Sequence, residues 1–244
     1  MSDPELSIVL PVYREGEAVV PVLEALDGGV RMPHEILVVY DFDEDPTVPV
    51  VDRLAFERPS IRGLRNYLGR GVLNAMKAGI AASRGEYVLI SMADGSDEPH
   101  IVDSMVALAR TGVDVVAASR YMPGGRQLGG PFLKRTLSRL AGMSLHRVGG
   151  IPTHDPTNNF KLYSRRFLDS VTIESRAGFE LALELTVKAA LSGRRIAEVP
   201  TTWRDRTVGS SNFRLRTWLP HYLRWYLVAL VGRVRRPGAR RGSP

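Results

Sequence analysis

Along the first 120 positions, apolar and polar residues alternate in blocks, and the period of the blocks changes. Leu6-Ser-Ile-Val-Leu-Pro-Val, Glu35-Ile-Leu-Val-Val-Tyr and Tyr87-Val-Leu-Ile-Ser-Met are short, nearly unbroken apolar runs rich in β-branched residues. That is the pattern of strands buried on both faces. Ile61–Arg65 and Val113–Ser119 add two shorter strands. Helical spacing occupies the intervals Glu17–Leu26, Val50–Glu57, Gly71–Ser83 and Ile101–Arg110. Strand and helix in regular alternation predict a mainly parallel α/β sheet with helices on both faces.

After Tyr121 the rhythm changes. Met122-Pro-Gly-Gly and Gly129-Gly-Pro bracket a predicted loop, and Phe132–Val148 reads as a helix. A strand at Asn159–Tyr163, helices at Arg165–Ser170 and Glu180–Ser192, and a last strand at Arg195–Pro200 follow. No repeat or low-complexity linker divides the chain, so residues 1–206 read as one domain and 207–244 as an appended segment. Within that segment, Trp218–Arg233 has the pattern of a helix with Trp and Tyr between arginines. Its longest charge-free apolar run, Trp225–Val231, falls far short of the roughly 20 residues that span a bilayer. Two readings stay open: a helix lying in the membrane interface with its rings at headgroup depth, or a helix packed onto the domain.

Charge sharpens the contrast between body and tail. The net charge is +7, yet from Thr201 to Pro244 ten arginines face one acid, Asp205, while the preceding 200 residues carry −2. Such asymmetry calls for an anionic partner. No nucleic-acid module precedes the tail, so a membrane surface is the expected partner and nucleic acid is not. The absence of cysteine excludes disulfides and thiolate metal sites. Met1-Ser-Asp-Pro-Glu is too polar for a signal peptide. Both features suit a cytoplasmic protein.

The chemistry concentrates in Ile90-Ser-Met-Ala-Asp-Gly-Ser-Asp-Glu-Pro99, an apolar strand that ends in carboxylates. Ligands of open α/β sheets sit at the carboxyl ends of strands. Carboxylates there suit a hard divalent cation that grips a diphosphate, although the same residues also start turns and cap helices.

Three further segments join this one in order: Leu10-Pro-Val-Tyr-Arg-Glu-Gly-Glu, Val38-Val-Tyr-Asp-Phe-Asp-Glu-Asp-Pro-Thr47, and Gly69-Arg-Gly71 before an Ala-rich helix. Downstream come Ser119-Arg-Tyr-Met-Pro-Gly-Gly, Asp155-Pro-Thr-Asn-Asn-Phe-Lys-Leu-Tyr and Arg206-Thr-Val-Gly-Ser-Ser. The ordered set, over about Leu6 to Phe213, resembles family-2 glycosyltransferases, in particular their dolichyl- or polyprenyl-phosphate mannosyl- and glucosyltransferase branch. The resemblance implies a GT-A nucleotide-diphospho-sugar transferase fold and an inverting, metal-dependent transfer of a hexose from a GDP- or UDP-sugar to a polyprenyl phosphate. It implies Mg²⁺ or Mn²⁺ held by Asp94 and Asp97, and a donor site at Pro11, Tyr13, Glu15, Asp41, Gly69, Gly71, Ala93 and Asp94. Arg120, Arg135, Arg206 and Ser211 become the acceptor-phosphate clamps, with Asp94, Arg120 and Arg206 carrying the catalysis. Planar guanidiniums match phosphate oxygens bidentately, and the basic tail places the enzyme peripherally at the inner face of the cell membrane. The alternative within the family is a soluble or cell-surface glycan acceptor. Four positions depart from the family pattern: Met92 replaces the first Asp of the metal motif, Tyr40 and Phe42 replace Asp and Gly in the nucleotide segment, and Asn212 replaces a Lys.

Overall fold

The computed structural model describes residues 3–205 and 215–234, the side chains of 133, 134, 215–218 and 234 excepted. Its first half runs β1 (Leu6–Pro11), α1 (Val20–Gly29), β2 (His34–Tyr40), α2 (Thr47–Glu57), β3 (Ile61–Arg65), α3 (Val72–Ala82), β4 (Tyr87–Ile90), α4 (Val102–Arg110) and β5 (Val115–Ser119). The second half holds β6 (Arg126–Leu128), α5 (Phe132–Arg147), β7 (Lys161–Ser164), α6 (Arg165–Leu168), α7 (Leu181–Leu191), β8 (Ile196–Pro200), β9 (Thr202–Arg204) and α8 (Leu215–Val234).

Seven strands form one sheet in the order β3-β2-β1-β4-β7-β5-β8. Every neighbouring pair is parallel except those made by β7, which runs antiparallel between β4 and β5. β1, β2, β4 and β5 are nearly all apolar because both their faces are covered, while the edge strand β3 carries Arg62 and Arg65. Ile8, Leu10, Ile36 and Val38 pack on one side with α1, α2 and α4, while Val9, Leu37 and Val39 pack on the other with α3 and α7. Helix α3 lies so close to β1 that a Cβ on Gly79 would stand 2.3 Å from Val9 Cγ1. The carboxyl ends of β1, β2, β4 and β5 share one edge of the sheet. Because β7 is reversed, its amino end reaches the same edge and brings the loop before it, residues 155–160, to that edge.

One feature departs from the expected pattern, and another takes up the packed reading of the tail. The predicted loop between Met122 and Gly130 contains β6, which pairs with β9 from Arg126↔Thr202 to Leu128↔Arg204. Three residues with no alternation leave no periodic signal, so only the pairing partner reveals this ribbon. The tail helix α8 packs on α7 and α5, burying Trp225 and Ala229 against Leu145, Leu183 and Val187. Trp225 is 3 % exposed, with Lys188 Nζ and the Arg224 guanidinium each 5.0 Å from its ring. Its ring faces the domain. The outward positions of α8 are Leu219, Leu223, Leu227 and Val231, four apart on one face of the helix.

Candidate active site

One cleft of about 1320 Å³ opens at the shared strand edge. Pro11, Tyr13, Glu15, Asp41, Gly71, Ala93, Asp94, Asp97, Arg120 and Arg135 all line it. Residues scattered over 125 positions of sequence therefore meet because their strands end side by side. Gly69 stands behind this wall in the turn that carries Gly71. Arg206 and Ser211 lie outside the described residues.

Each strand end is held by its neighbours. Asp45 accepts hydrogen bonds from Arg14 N and Thr47 N, both at 2.8 Å. Thr47 Oγ1 accepts from Glu15 N at 3.0 Å and Gly16 N at 3.1 Å. These contacts give Asp45 the work of shaping the turn that presents Tyr13 and Glu15. Asp41 accepts from Asn66 Nδ2 and Gly71 N, each at 2.8 Å. The carboxylate turn after β4 is closed by Asp94 Oδ1, which accepts from Ser96 Oγ at 2.6 Å and Ser96 N at 3.1 Å. Glu98 is its anchor: Oε2 accepts from Thr202 N at 2.6 Å, and Arg204 N donates to Ser96 O at 3.2 Å. The β6–β9 ribbon is thereby tied to the carboxylate turn, and its Gln127 and Trp203 form part of the cleft wall.

Asp97 sits beside Met92, with Oδ2 3.4 Å from Met92 N. Burial, then the charge of Asp94, push its carboxyl up to about 7. A carboxyl raised in the fold favours the folded state at low pH and loses that contribution as it ionises. Metal-free protein is thus expected to lose thermal stability between about pH 4 and 7. Mn²⁺ should restore stability at pH 8 and add little at pH 5, and D97N should flatten both trends. Thermal unfolding across pH, with and without Mn²⁺, measures this; equal Mn²⁺ stabilisation at both pH values would count against a cation beside Asp97.

Arg120 is already engaged. Its Nε donates to Asp155 Oδ2 at 2.6 Å, its terminal nitrogen to Oδ1 at 2.9 Å, and its backbone N to Oδ2 at 3.1 Å. Asp155 is wholly buried. Burial pushes its carboxyl up and the Arg120 guanidinium more than offsets this, so the net displacement is downward. The expected phosphate clamp therefore spends its bidentate face on Asp155 and lends the cleft a positive flank. Beneath the pair, Lys161 Nζ donates to the carbonyls of Asp155, at 3.1 Å, and of Asn158. Burial pulls its ammonium down to about 7. Arg135 lines the cleft and makes no ion pair among the described residues.

Several residues were not expected. Glu184 accepts from Glu174 N at 2.6 Å and Ser175 N at 2.7 Å, and Glu180 from Ala177 N at 2.8 Å and Gly178 N at 2.6 Å. Both carboxylates are buried, and they set the loop that points Ala177 and Phe179 into the cleft. Two glutamates at the start of a mostly apolar helix were the available signal. His146 and His154, which look scattered in sequence, stack at 4.0 Å, and His154 pairs with Glu198 at 2.5 Å. Among the described residues no three His, Asp or Glu gather as a metal cage.

The family model of Glycosyl transferase family 2 matches residues 7–172. The chain belongs to that family. It is a glycosyltransferase. This glycosyltransferase is 32 % identical to the undecaprenyl-phosphate mannosyltransferase of Micrococcus luteus, over 83 % of this chain and 85 % of that one. It is 29 % identical to the polyprenol monophosphomannose synthase of Mycolicibacterium smegmatis, over 84 % and 79 %. Two solved structures share its GT-A fold. Glucosyl-3-phosphoglycerate synthase from Mycobacterium tuberculosis, in complex with Mn²⁺, UDP-glucose and phosphoglyceric acid, superposes with a TM-score of 0.66 at 20 % identity, covering 97 % of this chain and 81 % of that one. A mannosyltransferase from Pyrobaculum calidifontis, in complex with GDP-Man and Mn²⁺, gives 0.64 at 17 %, covering 100 % and 67 %.

Proposed function

We propose that this glycosyltransferase moves a hexose, mannose in the first instance, from a nucleotide sugar to a polyprenyl phosphate, with inversion and with Mg²⁺ or Mn²⁺. The observation that carries this reading is the two-ended character of the cleft. One end is the wall of Glu15, Asp41, Gly71 and Asp94; the other runs between α5, α7 and α8 and is lined by Leu137, Leu140, Leu183, Leu219 and Leu223. A diphosphate sugar suits the first end and an isoprenoid the second. The two relatives, an undecaprenyl-phosphate mannosyltransferase and a polyprenol monophosphomannose synthase, support the same pairing.

The residues at the donor end fit a divalent cation. Mg²⁺ typically takes one or two carboxylates and completes its shell with water and substrate phosphates, and Asp94 with Asp97 offers two. When bound, the cation supplies neutralisation of the departing diphosphate. The protein's own groups do the rest. A phosphate acceptor is already ionised, so it needs orientation rather than deprotonation. Arg135, and Arg206 with Ser211, are the proposed clamps, with Arg120 contributing charge from its pairing with Asp155. Glu15 and Asp41 accept hydrogen bonds from the nucleoside.

The acceptor arrives from a membrane. Among the described residues no helix is long and apolar enough to cross one. The outward leucines of α8, with Phe132, Leu137 and Leu140 exposed on α5, form the proposed face that lies on lipid at the inner side of the cell membrane. Each Arg nearby adds about 1 kcal/mol of attraction to anionic headgroups. Leucines, not the Trp225 ring, make the insertion. Replacing Leu227 and Val231, which stand outside the cleft, by Ser is expected to lower binding to anionic vesicles about tenfold. Co-sedimentation measures it, and unchanged binding would remove α8 from the membrane face.

The function itself is tested by incubating purified protein with labelled nucleotide sugars and either short-chain polyprenyl phosphate or soluble glycosides. Labelled lipid phosphate is the expected product. Product on the soluble glycosides alone would overturn the lipid acceptor.

A further inference from the structure

Arg70 lies on the donor wall of the cleft, outside the roles assigned so far. It stands between Gly69 and Gly71, whose φ values of +102° and +117° belong to backbone that side chains rarely allow. The turn is bolted to Asp41: Asn66 Nδ2 donates to Gly69 O at 2.7 Å and to Asp41 Oδ1 at 2.8 Å, and Gly71 N donates to Asp41 Oδ2. The Arg70 guanidinium carbon rests 5.2 Å from the centre of the Phe42 ring. Phe42 is only 9 % exposed and meets Tyr13 edge-on at 6.0 Å, so it is a firm support. Among the described residues Arg70 makes no ion pair. Stacking occupies one face of the guanidinium and leaves its N–H edge free in the plane. Arg70 precedes Gly71, whose N–H holds Asp41, so a donor fork and a carboxylate line the same wall of the cleft.

We propose that Arg70, supported by Phe42, reads the base of the donor nucleotide and selects guanine over uracil. Guanine presents an acceptor, O6, next to two donors, N1–H and N2–H, and its N7 is a second acceptor close to O6. Asp41 takes the two donors while Arg70 serves the acceptors. Uracil offers a carboxylate one N–H flanked by two carbonyl oxygens, which costs one bond and sets an oxygen against Asp41. The inference rests on the nucleotide-sugar reading above and deepens it. Phe42, on whose ring the guanidinium rests, is the positioning residue.

The test is titration calorimetry with GDP, UDP and inorganic pyrophosphate in the presence of Mg²⁺, using the wild type, R70A and R70K. Arg70 is exposed, so both variants keep the fold. The wild type is expected to bind GDP more tightly than UDP. R70A should weaken GDP about tenfold and leave UDP and pyrophosphate within about twofold, and R70K should not rescue GDP because an ammonium lacks the planar fork. Equal losses for all three ligands, rescued by R70K, would make Arg70 a diphosphate contact and overturn the proposal. Tighter UDP binding, or GDP binding indifferent to Arg70, overturns it as well while sparing the nucleotide-sugar reading. A wild type that binds neither nucleotide brings down both.

Discussion

Asp94→Ala is expected to lower kcat/KM for sugar transfer by about 10²- to 10³-fold, the scale of losing one preorganised electrostatic group at a reacting centre. In the proposed reaction the leaving group is a diphosphate anion, and the charge that develops on it must be met where it forms. Asp94 is the carboxylate at the end of β4 that both lines the cleft and is fixed by its own turn, through the two bonds from Ser96. Removing it leaves Asp97 as the remaining carboxylate of the pair, and burial still opposes its ionisation. Metal affinity should fall with activity. The variant is read in two ways: activity against Mn²⁺ concentration, and the Mn²⁺-dependent rise in unfolding temperature, which follows from ligand binding to the folded state alone. An Asp94→Ala enzyme that keeps its Mn²⁺-dependent thermal shift would place the cation elsewhere.

Asp155→Ala is expected to be the most destabilising single change in the cleft, by about 3–5 kcal/mol, because it strands a buried guanidinium. Three hydrogen bonds from Arg120 converge on this carboxylate, and the Arg120 side chain is only 11 % exposed. Exposed ion pairs of the same chemistry, such as Arg53–Glu17 on the surface, are worth little because water screens them. Urea denaturation measures the loss. The double variant Arg120→Met/Asp155→Leu should recover most of the stability, since apolar replacement of a whole buried pair is often neutral or better. Activity is expected to stay low in the double variant, for it also removes the positive flank of the cleft. A single variant as stable as wild type would mean that water reaches Arg120.

Much of this was legible in order along the chain. The apolar runs of β1, β2 and β4 announced buried strands because burial on both faces leaves no polar alternation to misread. Asp94 stood out because its carboxylate follows an apolar strand within an ordered set of motifs, although such residues also start turns, as its bonds from Ser96 show. Gly71 was legible through the resemblance of Gly69-Arg-Gly71 to the family's glycine turn, and the structure gives it a φ of +117°. Arg120 was equally visible as a residue, yet its partner was not. Asp155 is 35 positions away and meets it only because β7 runs against its neighbours and delivers its leading loop to the same edge. The β6–β9 ribbon escaped for a similar reason, since a three-residue strand is defined by its partner.

The mainly parallel sheet could be read from the sequence because it is written in local periodicity, and the family because an ordered set of short motifs resembles it; the same motifs held the carboxylates and glycines that line the cleft. The tertiary structure alone decided which charges are already paired, which face of α8 is turned outward, and that a guanidinium rests on Phe42. These depend on contacts between segments remote in the chain, and local pattern holds no record of which neighbours packing will choose.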